Sequence, residues 1–235
     1  MKSARAGGTI LAVCGLDAES RIAAGPGVRA IAGGDGLATL LHSLETRFAE
    51  TCGIMSFGIA GSLDNQVATG TTLVARTVIA RNRRWNTDQA WSAAVAKCVP
   101  GSTQGDIAAR DQPIITVAEK RELRRSTGAV AVDTESHIAA EAASVLGIPL
   151  AVFRVIADGA DRALPKAAVI ALRGDGTIDV RAVLQSVSRS PGQTPLLLRT
   201  AHATAIALRA LARGRKRLGM RLGFPDLGEL LLDVP

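Results

Sequence analysis

Two carboxylates bracket a single helix–strand unit in the stretch AVDTESHIAAEAASVLGIPLAVFRVIADGAD, residues 131–161: Glu135 opens the helical run and Asp158 follows the apolar one. An acid just past a buried strand can cap the next helix. It can also act as a general acid, because burial raises its pKa until a proton is available to a leaving group. Asp161, further into the same loop, stands behind Asp158 in this respect. A negative charge in a helix's first turn is favourable by roughly 0.3–1 kcal/mol, so Glu135 has a structural reason to be there without any substrate. Asp133 is a candidate N-cap. Arg154, inside AVFRVIAD, must find acceptors if it is buried, and a neighbouring carboxylate would pair with it.

A second set of residues could bring a ligand close to backbone. FGIAGSLD places Gly58, Ile59, Ala60 and Gly61 after an apolar run, which reads as a tight turn that permits close approach. The segment lacks the Lys-Ser/Thr ending of a phosphate-binding loop and the three-glycine spacing of a dinucleotide fingerprint. Glu19, four residues past Gly15, reads as a surface residue on its own. His42, His137 and His202 are too scattered for a zinc motif, and no Gly-x-Ser-x-Gly elbow is present.

The elements that must position these residues alternate. GTILAVCGL and GVRAIAGG read as strands, residues 37–50 as an amphipathic helix, and CGIMSFGIAGSL as strand then turn. TTLVARTVIA is a further strand and TDQAWSAAVAKCV a helix. TVAEKRELRRSTG has Thr116 as N-cap, Glu119 completing a capping box and Gly128 beyond the end. AVAVD predicts a strand, TESHIAAEAASVLG a helix stopped by Gly147, IPLAVFRVI a buried strand, and TPLLLRTAHATAIALRALARGRKRLG a last helix. This order argues a three-layer α/β fold, with a central mostly parallel or mixed sheet and helices on both faces. If the strands are parallel, the loops after Val13, Ser56, Val132 and Ile156 open on one side, where ligands of such sheets bind.

With 235 residues and 47% apolar content the chain can bury a substantial core, read as one domain over residues 1–220 with a basic C-terminal helix about 195–220 and a tail 221–235. The net charge of +7 is local. Residues 182–225 contain no acid and eight cations, so the remainder carries −1. Three cysteines without metal spacing read as reduced thiols in a cytoplasmic protein. No apolar run approaches bilayer length, and TILAVCGL is too short for a secretory core. At 3% aromatic content and with no tyrosine, a nucleic-acid-binding module using the basic segment is poorly supplied with stacking groups.

In order and spacing, VCGLDAE, FGIAGSLD, VDTES and RVIADGAD resemble the nucleoside phosphorylase and nucleosidase superfamily. Its familiar form has a Gly-x-Ala-Gly-Gly turn, a Glu-Met-Glu or Asp-Met-Glu triplet and a Ser-Asp after the last core strand. TGAVAVDTESHIAAEAA, RVIADGADRALPKAAV, DGTIDV and SPGQTPLLLRTA look like the hopanoid-associated phosphorylases of that superfamily, and the resemblance runs roughly from Thr9 to Gly219. It implies cleavage of the N-glycosidic bond of a 5′-substituted adenosine such as adenosylhopane, through an oxocarbenium-like transition state. Adenine is released, with ribosylhopane or its 1-phosphate as the other product. By the same resemblance Glu135 binds the ribose hydroxyls, Asp158 donates a proton toward N7 of the purine, and Glu19, with Ser20 its near alternative, organises the nucleophile. Thr134, Asp133, Gly58, Ile59, Ala60, Gly61 and Ile114 fall where the family's nucleoside pocket lies. The implied cofactor set is empty, without a metal, and phosphate is the one candidate co-substrate. A homo-oligomer is implied as well.

The chain departs from the family pattern at Thr134 for methionine, Ala157 for serine and Ser62 for the second glycine. Ser56 and Ile59 stand where phosphorolytic members of the hexameric type carry an arginine and a serine, which leaves phosphate and water both open as nucleophile. Leu197, Ala201, Ala205, Leu208 and Leu211 form an apolar stripe on the last helix, read as its core-facing side. A lipid-bearing substrate would be met at a bilayer, and Arg209, Arg213, Arg215, Lys216 and Arg217 could draw the protein to the anionic inner membrane face. Soluble thioadenosines are the rival substrate class for the same carboxylates.

Overall fold

The computed structural model describes residues 8–33, 40, 42, 44, 50–165, 177, 192 and 194–225. In chain order the elements are β1 (Thr9–Cys14), α1 (Asp17–Ala23), β2 (Val28–Ala32), β3 (Thr51–Ser62), β4 (Thr72–Ala80), β5 (Arg83–Asn86) and α2 (Gln89–Cys98). There follow β6 (Thr103–Ala109), α3 (Val117–Thr127), β7 (Ala131–Asp133), α4 (Ser136–Leu146), β8 (Leu150–Asp158), α5 (Thr194–Arg217) and a 3-10 turn, Met220–Gly223. The helix expected over residues 37–50 lies mostly outside the described residues.

The sheet is mixed. β1 runs parallel to β2 and β3, and β3 parallel to β8, while β8 meets β4 antiparallel. β4 runs parallel to β6, and β6 to β7. β7 then pairs antiparallel with the far end of β3, Val132 opposite Gly61, so that β3, β8, β4, β6 and β7 close into a ring. The mixed sheet is within the expected class, but the parallel condition for a shared loop side fails at β7: the chain leaves it heading back toward the middle of β3. The loop after Val132 still reaches the cleft, because β7 borders only the last residues of β3.

FGIAGSLD is not the turn that its glycines suggest. β3 continues to Ser62 with Gly58 opposite Arg154 and Gly61 opposite Asp158 on β8, and a bulge separates Ala60 from Gly61. The glycines serve space in a strand and not a reversal of the chain.

Strand alternation builds the layers. Leu11 and Val13 of β1 join a core with Ile54, Val152 and the inner face of α4. Ile10, Ala12 and Cys14 join another with Met55, Phe153, Trp91 of α2 and Ala207 and Leu211 of α5. A strand buried on both faces needs apolar residues at consecutive positions, which is why β1 and β8 read as continuous runs. α3 begins with the Thr116–Glu119 capping box and ends at Gly128 in the left-handed conformation; α4 ends the same way at Gly147.

Residues 221–225 do not form a loose tail. Trp91 Nε1 donates to the Leu222 carbonyl at 3.0 Å, and Phe224 packs edge-on against Trp91. The core face of α5 also differs from the expected stripe: Ala203, Ala207, Ala210, Leu211 and Gly214 are buried, whereas Leu197, Ala201, Ala205 and Leu208 line a cavity. Gly214 is what lets α5 sit close to β8, since a Cβ there would lie 2.5 Å from Phe153 Cζ. Gly214→Ala is expected to destabilise the fold by about 1–3 kcal/mol through overpacking, measured as a lower urea midpoint at unchanged slope.

Candidate active site

Each acid arrives at the site by a different local route. Glu19 is the third residue of α1, and its side chain turns back over the helix start. One oxygen accepts from the Gly15 and Leu16 amides, both at 2.9 Å; the other accepts from the Ile59 amide of β3 at 2.7 Å. It is 1% exposed, so the surface reading is overturned. The room for it comes from Gly58: a Cβ there would lie 2.6 Å from the Glu19 carboxylate and from an Arg154 nitrogen.

Glu135 occupies the N-cap position of α4 without capping it, and Thr134 donates its hydroxyl to Glu135 Oε1. The capping work falls to Asp133, whose Oδ1 accepts from the Ser136 amide at 3.1 Å and whose Oδ2 accepts from the Ser136 hydroxyl. Glu135 faces Gly15, where a Cβ would come within 2.5 Å of its Oε1. Asp158 closes β8, against Gly61, where a Cβ would be 3.2 Å from both carboxylate oxygens. Three glycines thus each border one acid.

Arg154 is the hub. Fully buried, it reaches Asp133 Oδ2 at 2.7 Å and Glu135 Oε2 at 3.2 Å, and it donates to the Ser56 hydroxyl at 2.6 Å and the Ile59 carbonyl at 3.3 Å. Ser56 and Ser136 hydroxyls are 2.9 Å apart in the same buried layer. Two carboxylates therefore share a single guanidinium, and a third, Glu19, lies within its electrostatic reach. Burial pushes Glu19 up from 4.5 to about 7, with Arg154 opposing and Glu135 adding to the rise. Burial also raises Glu135, Asp158 and the neighbouring Cys14 thiol.

Glu19, Glu135 and Asp158 open onto one cavity of about 710 Å³, and Asp133, Thr134, Ile59, Ala60, Gly61 and Ile114 line it too. Gly58 lies beneath it, behind Glu19. Asp133 borders the cavity with its oxygens already engaged by Ser136 and Arg154, which makes it a support and not a free ligand. The α5 wall of the cavity is mostly apolar, with Leu197, Leu198, Ala201, Ala205 and Leu208, and Thr194, Thr200 and Thr204 interspersed. No group of three metal-ligating side chains occurs among the described residues.

Lys120 was not singled out in the sequence. It lines the cavity at 1% exposure, its ammonium donating to Asp158 Oδ2 and, at 2.9 Å, to each of the carbonyls of Gly159 and Arg162. The available signal was its phase on α3, three residues before Leu123, the other buried residue of that helix.

An α/β enzyme whose buried acids converge on a small-molecule cavity is what the fold and site describe. A family model for the phosphorylase superfamily matches residues 38–189, and the chain belongs to that family. No curated protein sequence matches. Among solved structures, the futalosine hydrolase of Helicobacter pylori is similar at 15% identity and a TM-score of 0.64, covering 90% of this chain and 97% of that one. The 5′-methylthioadenosine/S-adenosylhomocysteine nucleosidase of the same organism, bound to butyl-thio-DADMe-Immucillin-A, gives 16% identity and 0.61 over 90% and 99% of the two chains. The corresponding nucleosidase of S. pneumoniae gives 14% and 0.60 over 89% and 99%. At these identities the likeness establishes the fold, a three-layer α/β architecture.

The raised Glu19 has a consequence for stability. Between 4.5 and about 7 the folded protein keeps a proton that the unfolded chain has released, so this group makes stability fall as pH rises through that window and level off above it. Glu19→Gln removes the dependence. The stability of the variant relative to wild type is therefore expected to improve between pH 4.5 and 7 by roughly 3 kcal/mol, read from urea unfolding at both ends of the range.

Proposed function

We propose that the protein cleaves the N-glycosidic bond of a 5′-substituted adenosine, and the observation that carries this reading is the convergence of Glu19, Glu135 and Asp158 on one cavity. Asp158, raised by burial, gives its proton to N7 as the C1′–N9 bond breaks and its electron pair passes to the departing purine. Glu135, fixed by Arg154 and Thr134, accepts hydrogen bonds from the ribose hydroxyls, and its charge stabilises the cation developing at the anomeric carbon. Water adds to that carbon and loses its proton to Glu19, which at about 7 is poised to take it near neutral pH. The products are adenine and the 5′-substituted ribose.

Water suits this site better than phosphate. The Gly15, Leu16 and Ile59 amides all donate to Glu19, Arg154 is committed to Asp133 and Glu135, and the Ser56 hydroxyl is held in the buried layer. Ile59 offers no hydroxyl. A dianion beside Glu19 would meet a like charge, and the uncommitted donor among these groups, Arg154 Nε, is fully buried on a residue that does not line the cavity.

The apolar wall supports a hydrocarbon at the 5′ position, as in adenosylhopane, with methylthioadenosine the small competing case. Residues 1–220 act in this reading as one phosphorylase-like domain, in a homo-oligomer. The helix that supplies the wall also carries Arg209, Arg213, Lys216 and Arg217 exposed on its outside, and these draw the protein to the anionic cytoplasmic membrane face where a lipid substrate resides. Arg215 is not part of this patch: it donates to the Ala23 carbonyl at 2.7 Å and the Gly219 carbonyl at 2.6 Å.

Adenine release from adenosylhopane and from methylthioadenosine, each with and without phosphate, tests the chemistry. Release independent of phosphate is expected, with Asp158→Asn and Glu135→Gln each lowering kcat by on the order of 10²–10³-fold; release that requires phosphate would overturn the choice of water. For the membrane, flotation with anionic vesicles is expected to weaken when Arg209, Arg213, Lys216 and Arg217 are changed together to glutamine, and to be absent with neutral vesicles.

A further inference from the structure

We propose that Lys120 is the positioning residue of the proton donor: its buried ammonium holds Asp158 Oδ2, leaves Oδ1 as the oxygen for the leaving base, and stabilises the carboxylate that forms as the proton departs. The inference rests on the reading of Asp158 as the acid and adds a residue to that machinery.

The geometry sets Lys120 apart from an ordinary surface lysine. It is 1% exposed, on a helix whose other cations, Arg121, Arg124 and Arg125, point outward or are half-buried. All three of its N–H groups have acceptors, one on Asp158 and two on carbonyls of the loop that follows β8, at Gly159 and Arg162. The ammonium therefore fixes the carboxylate and the backbone just beyond it as a unit. Ala157, before the acid, has no hydroxyl that could do this. A buried lysine is costly unless it is paired, and here its pair is the one acid placed at the end of β8.

The electrostatic effect is differential. A neutral carboxylic acid interacts weakly with a nearby cation, whereas the carboxylate left after proton donation interacts strongly, so the stabilisation grows along the reaction coordinate. The same charge opposes the rise that burial imposes on Asp158. The groups facing Asp158 are Lys120 from α3 and Arg162 from its own loop; Asp161, Arg199 and His202 line, with Asp158, a second hollow of about 1180 Å³.

A lysine that merely clips the loop would affect stability but not proton donation. Activity needs Asp158 protonated, so the rate falls at high pH as that acid ionises. Lys120→Met removes a cation that favours ionisation, and the alkaline limb of kcat/KM is expected to move to higher pH while kcat drops on the order of 10²-fold with KM changed little. In an Asp158→Asn background the same substitution is expected to change kcat less than about 3-fold, since Lys120 then has no acid to act through. Should Lys120→Met fail to fold, Lys120→Gln, which keeps a donor without the charge, carries the same readouts. An unmoved alkaline limb, or losses that multiply in the double variant, would overturn the role of Lys120 while leaving the glycosidic reaction standing. A wild-type protein that releases no base from any adenosine would overturn both.

Discussion

The site depends on one buried guanidinium. Arg154 reaches from β8 over β3 at Gly58, a strand position that has no side chain, and meets Asp133 and Glu135 with Glu19 close by. Without that cation, three carboxylates in a dry layer would each have to bind a proton or drive the layer open to water. With it the layer stays closed, and burial, with the neighbouring carboxylates adding to it, leaves Glu19 and Glu135 raised above their ordinary range. In the proposed reaction the raised Glu19 is the group that takes a proton near neutral pH, so the proposed base belongs to the same layer as the buried pairing.

Space for the acids is made by absence. Gly15, Gly58 and Gly61 carry ordinary strand or loop backbone and no left-handed strain; their value is the volume that a methyl group would take from Glu135, Glu19 and Asp158. A glycine cluster in sequence invites a turn, and FGIAGSLD carries that local signal. The strand continues because its neighbours on β8, Arg154 and Asp158, lean over the bare positions. Local pattern cannot distinguish a glycine that bends the chain from one that admits a side chain belonging to a distant strand.

The same distinction separates what was legible from what was not. Alternating strands and helices, the Thr116–Glu119 cap, the stops at Gly128 and Gly147 and the extent of the last helix are local, and the sequence carries them; the three-layer α/β class follows. The ends of elements could be seen as well, which is how Glu135 and Asp158 drew notice, and the need of a buried Arg154 for acceptors is a matter of its residue type. Glu19 looked superficial because its burial is conferred by Gly58 and Ile59, some forty positions away. The antiparallel course of β7 rests on three residues, too few for any periodicity. Lys120 hid in a charged helix, where only its phase with Leu123 set it inward.

One contact at the far end of α5 ties the cavity's two sides together. Arg215 Nε donates to the carbonyl of Ala23, the last residue of α1, the helix whose first turn carries Glu19. The apolar wall and Glu19 thus belong to a single clasped pair of helices. A bulky ligand that levers α5 outward must either carry α1 with it or break this clasp, so the width of the pocket and the placement of Glu19 are mechanically one variable.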